Sequence, residues 1–177
     1  MAVQDQNGTV HEYDYDLLGR QIEDRVTAVG PGVDNTILRI ASTYEVRGMR
    51  TQLTSYDNAS VGSGSVVNEV QFTYNDFGQV VADYQAHAGS VNTGSTPKVQ
   101  YGYANGSNNT IRPTSLTYPN GRVVGYEYGL ANSTSDALSR IDGLTDSATS
   151  GLPLNAYQYL GVGAFVEQDY LQGVNTR

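Results

Sequence analysis

The sequence contains no cysteine and no tryptophan, and only ten of its 177 residues are lysine or arginine. Without cysteine the chain can form neither a disulfide framework nor a thiolate metal site. Its 18 acidic residues give a net charge of −8, whereas nucleic-acid binding needs clustered positive charge to displace counterions from phosphates. We therefore predict that the chain has no nucleic-acid partner.

Long apolar runs are also missing. No stretch approaches the roughly 20 apolar residues of a membrane-spanning helix, and the first residues lack the apolar stretch of a signal peptide. We therefore predict no membrane insertion. Because Met1 lies on what reads as a strand already inside a hairpin, we interpret the chain as a piece of, or a product processed from, a longer protein.

The composition that is present favours strands and tight turns. The chain has fourteen tyrosines, three phenylalanines and 20 glycines, while the residues that favour helices are sparse. We predict an all-β fold with almost no helix, and 177 residues are enough for one domain with a core.

A tyrosine motif recurs along the whole chain at steps of 29, 30, 29, 25 and 31 residues. These tyrosines are Tyr15, Tyr44, Tyr74, Tyr103, Tyr128 and Tyr159. Except at the second copy, which has Ser42, an aromatic residue stands two places earlier, at Tyr13, Phe72, Tyr101, Tyr126 and Tyr157. A glycine follows four places later in four copies, at Gly19, Gly48, Gly78 and Gly163. The period predicts that residues 1–177 form one array of about six β-hairpins in a continuous, twisted antiparallel sheet.

Turn residues lie where each hairpin is expected to reverse. Asp16 can bond its own backbone and Gly19 can adopt positive φ, so residues 16–19 predict a tight turn. The pair Asn7-Gly8 predicts a type I′ turn, in which both residues have positive φ. Residues 136–140 read as the same turn displaced by an insertion, with Ser139 at the glycine position and a strand over residues 137–141.

Residues 15–20 match in full the Tyr-Asp-x-x-Gly-Arg signature of the YD-repeat, or Rhs, family of bacterial secreted and cell-surface proteins, which the chain resembles. Residues 118–128 are similar to a second hairpin of that family, in which a Pro-Asn-Gly turn containing Gly121 joins two tyrosine-bearing strands. The second and third copies depart from the signature, with Glu45 and Met49, and with Asn75 and Gln79.

The resemblance implies an extracellular or cell-surface protein. In this family many repeats spiral into a hollow shell around a toxic C-terminal domain, for which six units are too few. We therefore predict a non-enzymatic structural module, either a section of a shell wall or a filament-forming scaffold. Its expected partners are flanking repeats of a longer chain or copies of itself, because unpaired strand edges invite pairing.

A second hypothesis is a carbohydrate-binding or adhesive module, since aromatic rings with polar tips stack on sugars and the family has been associated with carbohydrate binding. The tyrosines expected near loops, and so the candidates for an exposed ligand aromatic, are Tyr56, Tyr84 and Tyr170. Five asparagines fit the N-x-Ser/Thr glycosylation pattern in expected turns or loops: Asn7, Asn58, Asn105, Asn108 and Asn132.

Neither the histidines nor the acidic residues form an evident catalytic or metal site. His11 and His87 lie more than two repeats apart. Glu12, Asp14 and Asp16 alternate along one strand and could together attract Ca²⁺, but a solvated polar face is the simpler interpretation. We predict no catalytic site, no bound metal and no cofactor.

Overall fold

The computed structural model describes residues 1–104, 111–149 and 152–171. The described residues form thirteen strands and two short helical segments, α1 (Thr134–Ala137) and a 3-10 turn (Ser147–Thr149). The strands are β1 (Ala2–Gln4), β2 (Val10–Tyr15), β3 (Gln21–Ala28), β4 (Arg39–Tyr44), β5 (Arg50–Tyr56), β6 (Val66–Tyr74), β7 (Val80–Ala86), β8 (Lys98–Tyr103), β9 (Pro113–Thr117), β10 (Val123–Glu127), β11 (Gly143–Asp146), β12 (Leu152–Leu160) and β13 (Ala164–Tyr170).

These strands lie in one antiparallel sheet in the order in which they occur in the chain. The predicted all-β fold with almost no helix is confirmed. The chain divides into two compact units, Met1–Lys98 and Val99–Arg177. The organisation of the chain as one array of six hairpins remains a prediction.

The signature turn is a three-residue hairpin loop that closes on its own aspartate. The amide of Asp16 donates to the carbonyl of Arg20 (2.9 Å), and the amide of Gly19 donates to the carbonyl of Asp16 (3.0 Å). The Asp16 carboxylate accepts from the amides of Leu18 and Arg20 at 2.9 and 3.0 Å. Because Gly19 has a φ of 77°, the loop is a type I turn followed by a left-handed residue, and glycine is the residue that adopts this φ without strain.

The turn at Asn7-Gly8 follows the same pattern, so the predicted type I′ turn is wrong. Gly8 has a φ of 86°, but Asn7 is not among the residues with positive φ. The Asp5 carboxylate instead accepts from the amides of Asn7 and Thr9, at 2.8 and 2.9 Å. This loop is therefore another copy of the signature turn, which the prediction missed because Thr9 stands in place of the arginine.

A β-bulge follows the turn in five hairpins. The repeat tyrosine near the end of the outgoing strand pairs with a residue of the return strand, and the next residue of the return strand has no partner opposite it. In the last hairpin one further pair, Leu160 with Ala164, lies between the tyrosine and the turn. The five pairs are Tyr15 with Gln21, Tyr44 with Arg50, Tyr74 with Val80, Tyr103 with Pro113, and Tyr159 with Phe165. A bulge leaves backbone groups without a ladder partner, so each hairpin needs a further contact at this position.

The core is thin. The buried apolar side chains are Ala82, Tyr84 and Tyr128, and none of the described side chains is less than 2% exposed. Several buried residues are polar and are held by specific bonds: the Glu69 carboxylate accepts from the Thr54 hydroxyl at 2.8 Å and from the Val91 amide at 3.0 Å. Neighbouring hairpins are therefore held together by side-chain contacts across the sheet as well as by the backbone ladder.

In the second unit the expected strand over residues 137–141 is wrong. Asp136 and Ala137 end the helical turn α1, which the Ser133 hydroxyl caps, and the strand β11 begins only at Gly143. The expectation for Ser139 is confirmed, because its φ of 53° gives it the left-handed conformation of a turn glycine. In the last hairpin the left-handed residue is Gly161 (φ 63°), so Gly163 does not close its turn as predicted.

Within the described part of the chain, no helix is long and apolar enough to cross a membrane.

Candidate functional site: tyrosine joints between hairpins

The repeat tyrosines form what we call joints: contacts in which the tyrosine of one hairpin packs on the preceding strand of the sheet. At the first, the Tyr44 hydroxyl donates to the carbonyl of Gln21 at 2.9 Å. The Arg20 guanidinium lies over the Tyr44 ring, with its carbon 4.5 Å from the ring centroid. The signature arginine thus stacks on the tyrosine of the next hairpin, in a cation–π contact.

The second joint has the same hydrogen bond without the arginine. The Tyr74 hydroxyl donates to the carbonyl of Arg50 at 2.6 Å, and Met49 occupies the position that corresponds to Arg20. Burial raises the pKa of Tyr74 above its ordinary value. The acceptor carbonyls of both joints belong to the residue before the bulge, so the tyrosine supplies a hydrogen bond at that position.

The second compact unit contains two further joints. The Tyr128 hydroxyl donates to the carbonyl of Pro113 at 2.8 Å, and the Arg112 guanidinium lies 4.4 Å from the centre of its ring. The Tyr159 hydroxyl donates to the carbonyl of Ile141 at 2.7 Å, with Arg140 at 4.5 Å. Burial also raises the pKa of Tyr128.

All four joints share one register. In each, the residue three before the tyrosine pairs with the residue two after the acceptor carbonyl. These pairs are Ala41 with Glu23, Gln71 with Gln52, Gly125 with Ser115, and Ala156 with Gly143. The residue directly before the acceptor is arginine in three joints and methionine in one. This rule defines a joint by position and does not depend on the length of the intervening loop.

The turn glycines have a second role beside their backbone conformation. A Cβ atom at Gly78 would lie 3.2 Å from the Met49 sulfur, and one at Gly48 would lie 3.6 Å from an Arg20 nitrogen. Each of these glycines therefore leaves room for the side chain that ends the preceding turn. Gly121 also has positive φ (84°), but no atom lies within 4 Å of the Cβ position there.

The aromatic residues two places before the repeat tyrosines lie within the strands, as predicted. Tyr13 stacks beside His11 with ring centres 6.1 Å apart, and the Tyr157 hydroxyl accepts from the Asn155 amide at 2.7 Å. The remaining members pair across the sheet, Phe72 with Asp83, Tyr101 with Leu116, and Tyr126 with Leu144. Tyr103 lies at the end of β8, opposite Pro113.

In two of the three loop tyrosines, a cationic side chain of the same unit lies over the ring. Tyr84 is only 7% exposed and has Lys98 over its ring at 5.2 Å, so the expectation of an exposed ligand aromatic is wrong there. The Tyr56 ring is covered by the Arg39 guanidinium at 3.7 Å. The Arg39 guanidinium also donates to the carbonyls of Asn58 and Ser63, so it ties the loop over residues 57–65 to the sheet. Tyr170, in contrast, is 69% exposed.

Three of the five glycosylation candidates lie in turns at the surface. Asn58 is exposed and its side chain accepts from the amide of Ser60, and Asn132 is exposed with a φ of 66°. Asn7 is exposed, but the threonine of its pattern, Thr9, is buried and its hydroxyl accepts from the Gly30 amide. Asn105 and Asn108 lie outside the described residues.

The three acidic residues considered for Ca²⁺ do not act together. Glu12 and Asp14 both bind the Arg25 guanidinium, at 3.1 and 2.8 Å, whereas Asp16 is bound to Arg20 at 2.6 Å. Hydrogen bonds from the Arg20 backbone and side chain hold the pKa of Asp16 below its ordinary value.

The two histidines are separate. The ring of His11 bonds to the Asp24 carboxylate at 2.7 Å, while His87 is exposed in the loop after β7. Among the described residues no group of three or more potential ligands is placed to hold a metal ion.

No family model matches the chain, and no curated protein matches it. Among solved structures, a crystal structure of TcdB2-TccC3-TEV resembles the chain with 9% sequence identity and a TM-score of 0.45. The match covers 96% of this chain and 9% of the other chain, so this chain spans a small part of that protein's length. A similarity at this level carries no argument about function.

Sequence reasoning missed the partners of the signature residues. The interval between tyrosines predicted that they pack across strands, but not that the arginine of one turn reaches the tyrosine of the next hairpin. A signal was present in the printed sequence: Arg112 and Arg140 lie 16 and 19 residues before Tyr128 and Tyr159, and Arg140 ends the predicted turn over residues 136–140.

Proposed function

We propose that the chain is a non-enzymatic structural module of a bacterial extracellular protein of the YD-repeat type, acting as a section of β-sheet wall or as a self-assembling scaffold. The observation that carries the proposal is the joint, which recurs four times in one register. The residues of the repeat signature contact other residues of the sheet. Their chemistry is used for packing one hairpin on the next.

The charged residues support the same proposal. Arginines are paired with carboxylates across or within hairpins, as in Arg122 with Asp146 at 2.7 Å and Arg112 with Asp136 at 2.7 Å. These bonds hold the pKa values of Asp146 and Asp136 below their ordinary values. A carboxylate held in its ionised form by an arginine is suited to structure and poorly suited to act as a general acid.

The last hairpin supports association with other repeats. It exposes six large apolar side chains between residues 160 and 171: Leu160, Val162, Phe165, Val166 and Tyr170 are between 53% and 76% exposed, and Leu171 is 51% exposed. A concentration of exposed apolar residues on an end strand is typical of a surface that another strand covers. The partner we propose is a flanking repeat or a second copy, at the cell surface or outside the cell.

The experiment that tests the scaffold function combines light scattering and electron microscopy of the purified chain with a variant of one joint. We expect Tyr128→Ala to lower the free energy of unfolding by about 3 kcal/mol, because a buried aromatic ring and its hydrogen bond are lost. Tyr170→Ala is the matched control and should change it by less than about 0.5 kcal/mol. Regular fibres would support a filament, and a discrete monomer would support a wall section. Equal effects of the two substitutions would contradict the structural role of the joints.

A carbohydrate-binding module is the second candidate, and the 69% exposure of Tyr170 favours it. An exposed ring with a polar tip can stack on a sugar. On a glycan array, this candidate predicts saturable binding that Tyr170→Ala abolishes. Because Tyr56 is covered by Arg39, Tyr56→Phe is the control and should leave such binding unchanged. Absence of binding across the array would leave the scaffold function as the proposal.

A further inference from the structure

Tyr15 stands where a joint tyrosine stands, but it lacks the rest of a joint. Like Tyr44 and Tyr74, it ends an outgoing strand and pairs across a bulge with the residue after the turn. Its side chain is nevertheless 48% exposed. Among the described residues, no cation lies over its ring and no carbonyl accepts from its hydroxyl. Tyr15 is therefore the open half of a joint.

The shared register places the missing half. The residue three before Tyr15 is Glu12, and it pairs with Ala2 of β1. In each complete joint, the acceptor carbonyl lies two residues before that partner, and the arginine or methionine lies three before it. Applied to β1, the rule puts the acceptor in line with the strand, immediately before Met1, and the stacking residue one position earlier.

The space for these two residues is open. Met1 pairs with Tyr13, its amino group donating to the Tyr13 carbonyl at 3.0 Å and its carbonyl accepting from the Tyr13 amide at 2.8 Å. β1 therefore pairs with β2 as far as Tyr13. On this edge of β2, none of the described residues pairs with Asp14 or Tyr15.

We propose that Tyr15 is a binding site for an arginine and its following residue, supplied in line with β1. The guanidinium stacks on the Tyr15 ring, and the carbonyl of the following residue accepts from the Tyr15 hydroxyl. This inference rests on the proposed structural function and identifies the chemistry of a partner repeat: a turn that ends in arginine and runs directly into β1.

The last hairpin of a second copy fits this site poorly. Ala164 occupies the position of the arginine after its turn, so it offers no cation. In joint register, Glu167 would lie opposite Glu12, and like charges directly opposite each other destabilise a sheet. The strand β13 would also need the place that β1 already occupies. The occupant in line with β1 avoids all three conflicts.

The experiment uses the full chain with three residues added before Met1. One variant carries Gly-Arg-Gln, which copies residues 19–21, and its matched control carries Gly-Ala-Gln. We expect the arginine extension to raise the Tm by about 2 °C over the control, as a cation–π contact of about 0.5–1 kcal/mol would in a chain of this size. Tyr15→Leu should abolish this difference. In hydroxyl-radical footprinting, the reactivity of Tyr15 should fall about twofold with the arginine extension, while that of Tyr170 stays unchanged.

Equal Tm values for the two extensions, with no change in Tyr15 reactivity, would overturn the proposal. It would also be overturned if the unextended chain formed larger particles with rising concentration and Tyr15→Leu abolished them, because a second copy would then be the occupant. The structural function itself is tested separately, on the unextended chain. It would be contradicted if Tyr128→Ala changed the stability no more than Tyr170→Ala does.

Discussion

The joints at Tyr44 and Tyr74 differ in the residue before the acceptor carbonyl and share the hydrogen bond and the register. Arg20 lies 4.5 Å over the Tyr44 ring, whereas methionine occupies the same position before Tyr74. Both hydroxyls donate to the backbone in the same register, at 2.9 and 2.6 Å. The comparison shows that the hydrogen bond and the register define a joint, while the residue before the acceptor can be arginine or methionine.

The turns that begin at Asp16, Glu45 and Asn75 show the same division between fixed and variable parts. Asp16 and Asn75 both accept two backbone amides through a side-chain oxygen, but the Glu45 side chain binds Arg47 instead. The backbone hydrogen bonds of the three turns are nevertheless the same, and their glycines all have positive φ. The backbone conformation is therefore the constant feature, and the side-chain bonds vary around it.

Removal of the joint tyrosines should have the largest effect on this comparison. We expect Tyr44→Ala and Tyr74→Ala each to lower the free energy of unfolding by about 2–3 kcal/mol in urea titrations, because packing and the hydrogen bond are both lost. Tyr→Phe at either site removes only the hydroxyl and should cost about 1 kcal/mol. If Tyr44→Phe cost nothing while Tyr74→Phe did, the hydroxyl bond would not be the common element.

Substitution of the turn glycines should cause the next largest loss of stability. Ala in place of a left-handed glycine costs roughly 1–2 kcal/mol, so Gly48→Ala should lower the stability by about that amount. Gly78→Ala should cost more, because its Cβ would lie 3.2 Å from the Met49 sulfur, compared with 3.6 Å from Arg20 at Gly48. The control is Gly78→Ala combined with Met49→Ala, which removes the crowded side chain. In thermal unfolding, adding Gly78→Ala to the Met49→Ala variant should lower the stability by about as much as Gly48→Ala lowers that of the wild type.

Exchange of the stacking residues tests the comparison directly. We expect Arg20→Met to lower the stability by about 1 kcal/mol, because it removes the cation–π contact with Tyr44 and the ion pair with Asp16. Met49→Arg should change the stability by less than that amount in either direction, since methionine already fills the position. The readout is the midpoint of urea unfolding. A larger loss for Met49→Arg than for Arg20→Met would show that the two positions are not equivalent.

The smallest expected effect is a change in the pH dependence of the Tm when Asp16, in the turn over residues 16–20, is replaced. The folded-state pKa of Asp16 is lowered by its hydrogen bonds, so its contribution to stability is present above its ordinary value of 3.8 and is lost as the pH falls through the folded pKa. Asp16→Asn should retain the turn, because the asparagine at the corresponding position of another turn, Asn75, accepts from the two corresponding amides. The Tm of the wild type should exceed that of the variant at pH 7, and the gap should narrow below about pH 3.8. A gap that stays constant down to pH 2 would contradict the assignment.

Much of the fold was predictable because its signals are local. The tyrosine interval predicted the hairpins, and positive φ at Gly19, Gly48 and Gly78 follows from their place after a turn-forming residue. The exceptions have local causes as well. At Asn7 the preceding Asp5 accepts two amides and selects a three-residue loop, so the Asn-Gly pair does not behave as it would in isolation.

The joints were less predictable because they depend on register between hairpins. The sequence indicated which tyrosines recur, but the atom that each hydroxyl reaches depends on a bulge that no residue type marks. The exposure of the loop tyrosines was not predictable for the same reason: Tyr84 was expected near a loop, yet it is buried beneath Lys98. Burial of a single aromatic ring is determined by residues distant in sequence.

The common register has a consequence for how such a chain can change in length. The hydroxyl and its acceptor are separated by 23, 24, 15 and 18 residues in the four joints, although their geometry is the same. Insertions and deletions in the intervening loops therefore leave the contact intact, since each hairpin sets its own register with its own bulge and turn. Repeats of unequal length can be exchanged, lost or gained at these loops without rebuilding their neighbours.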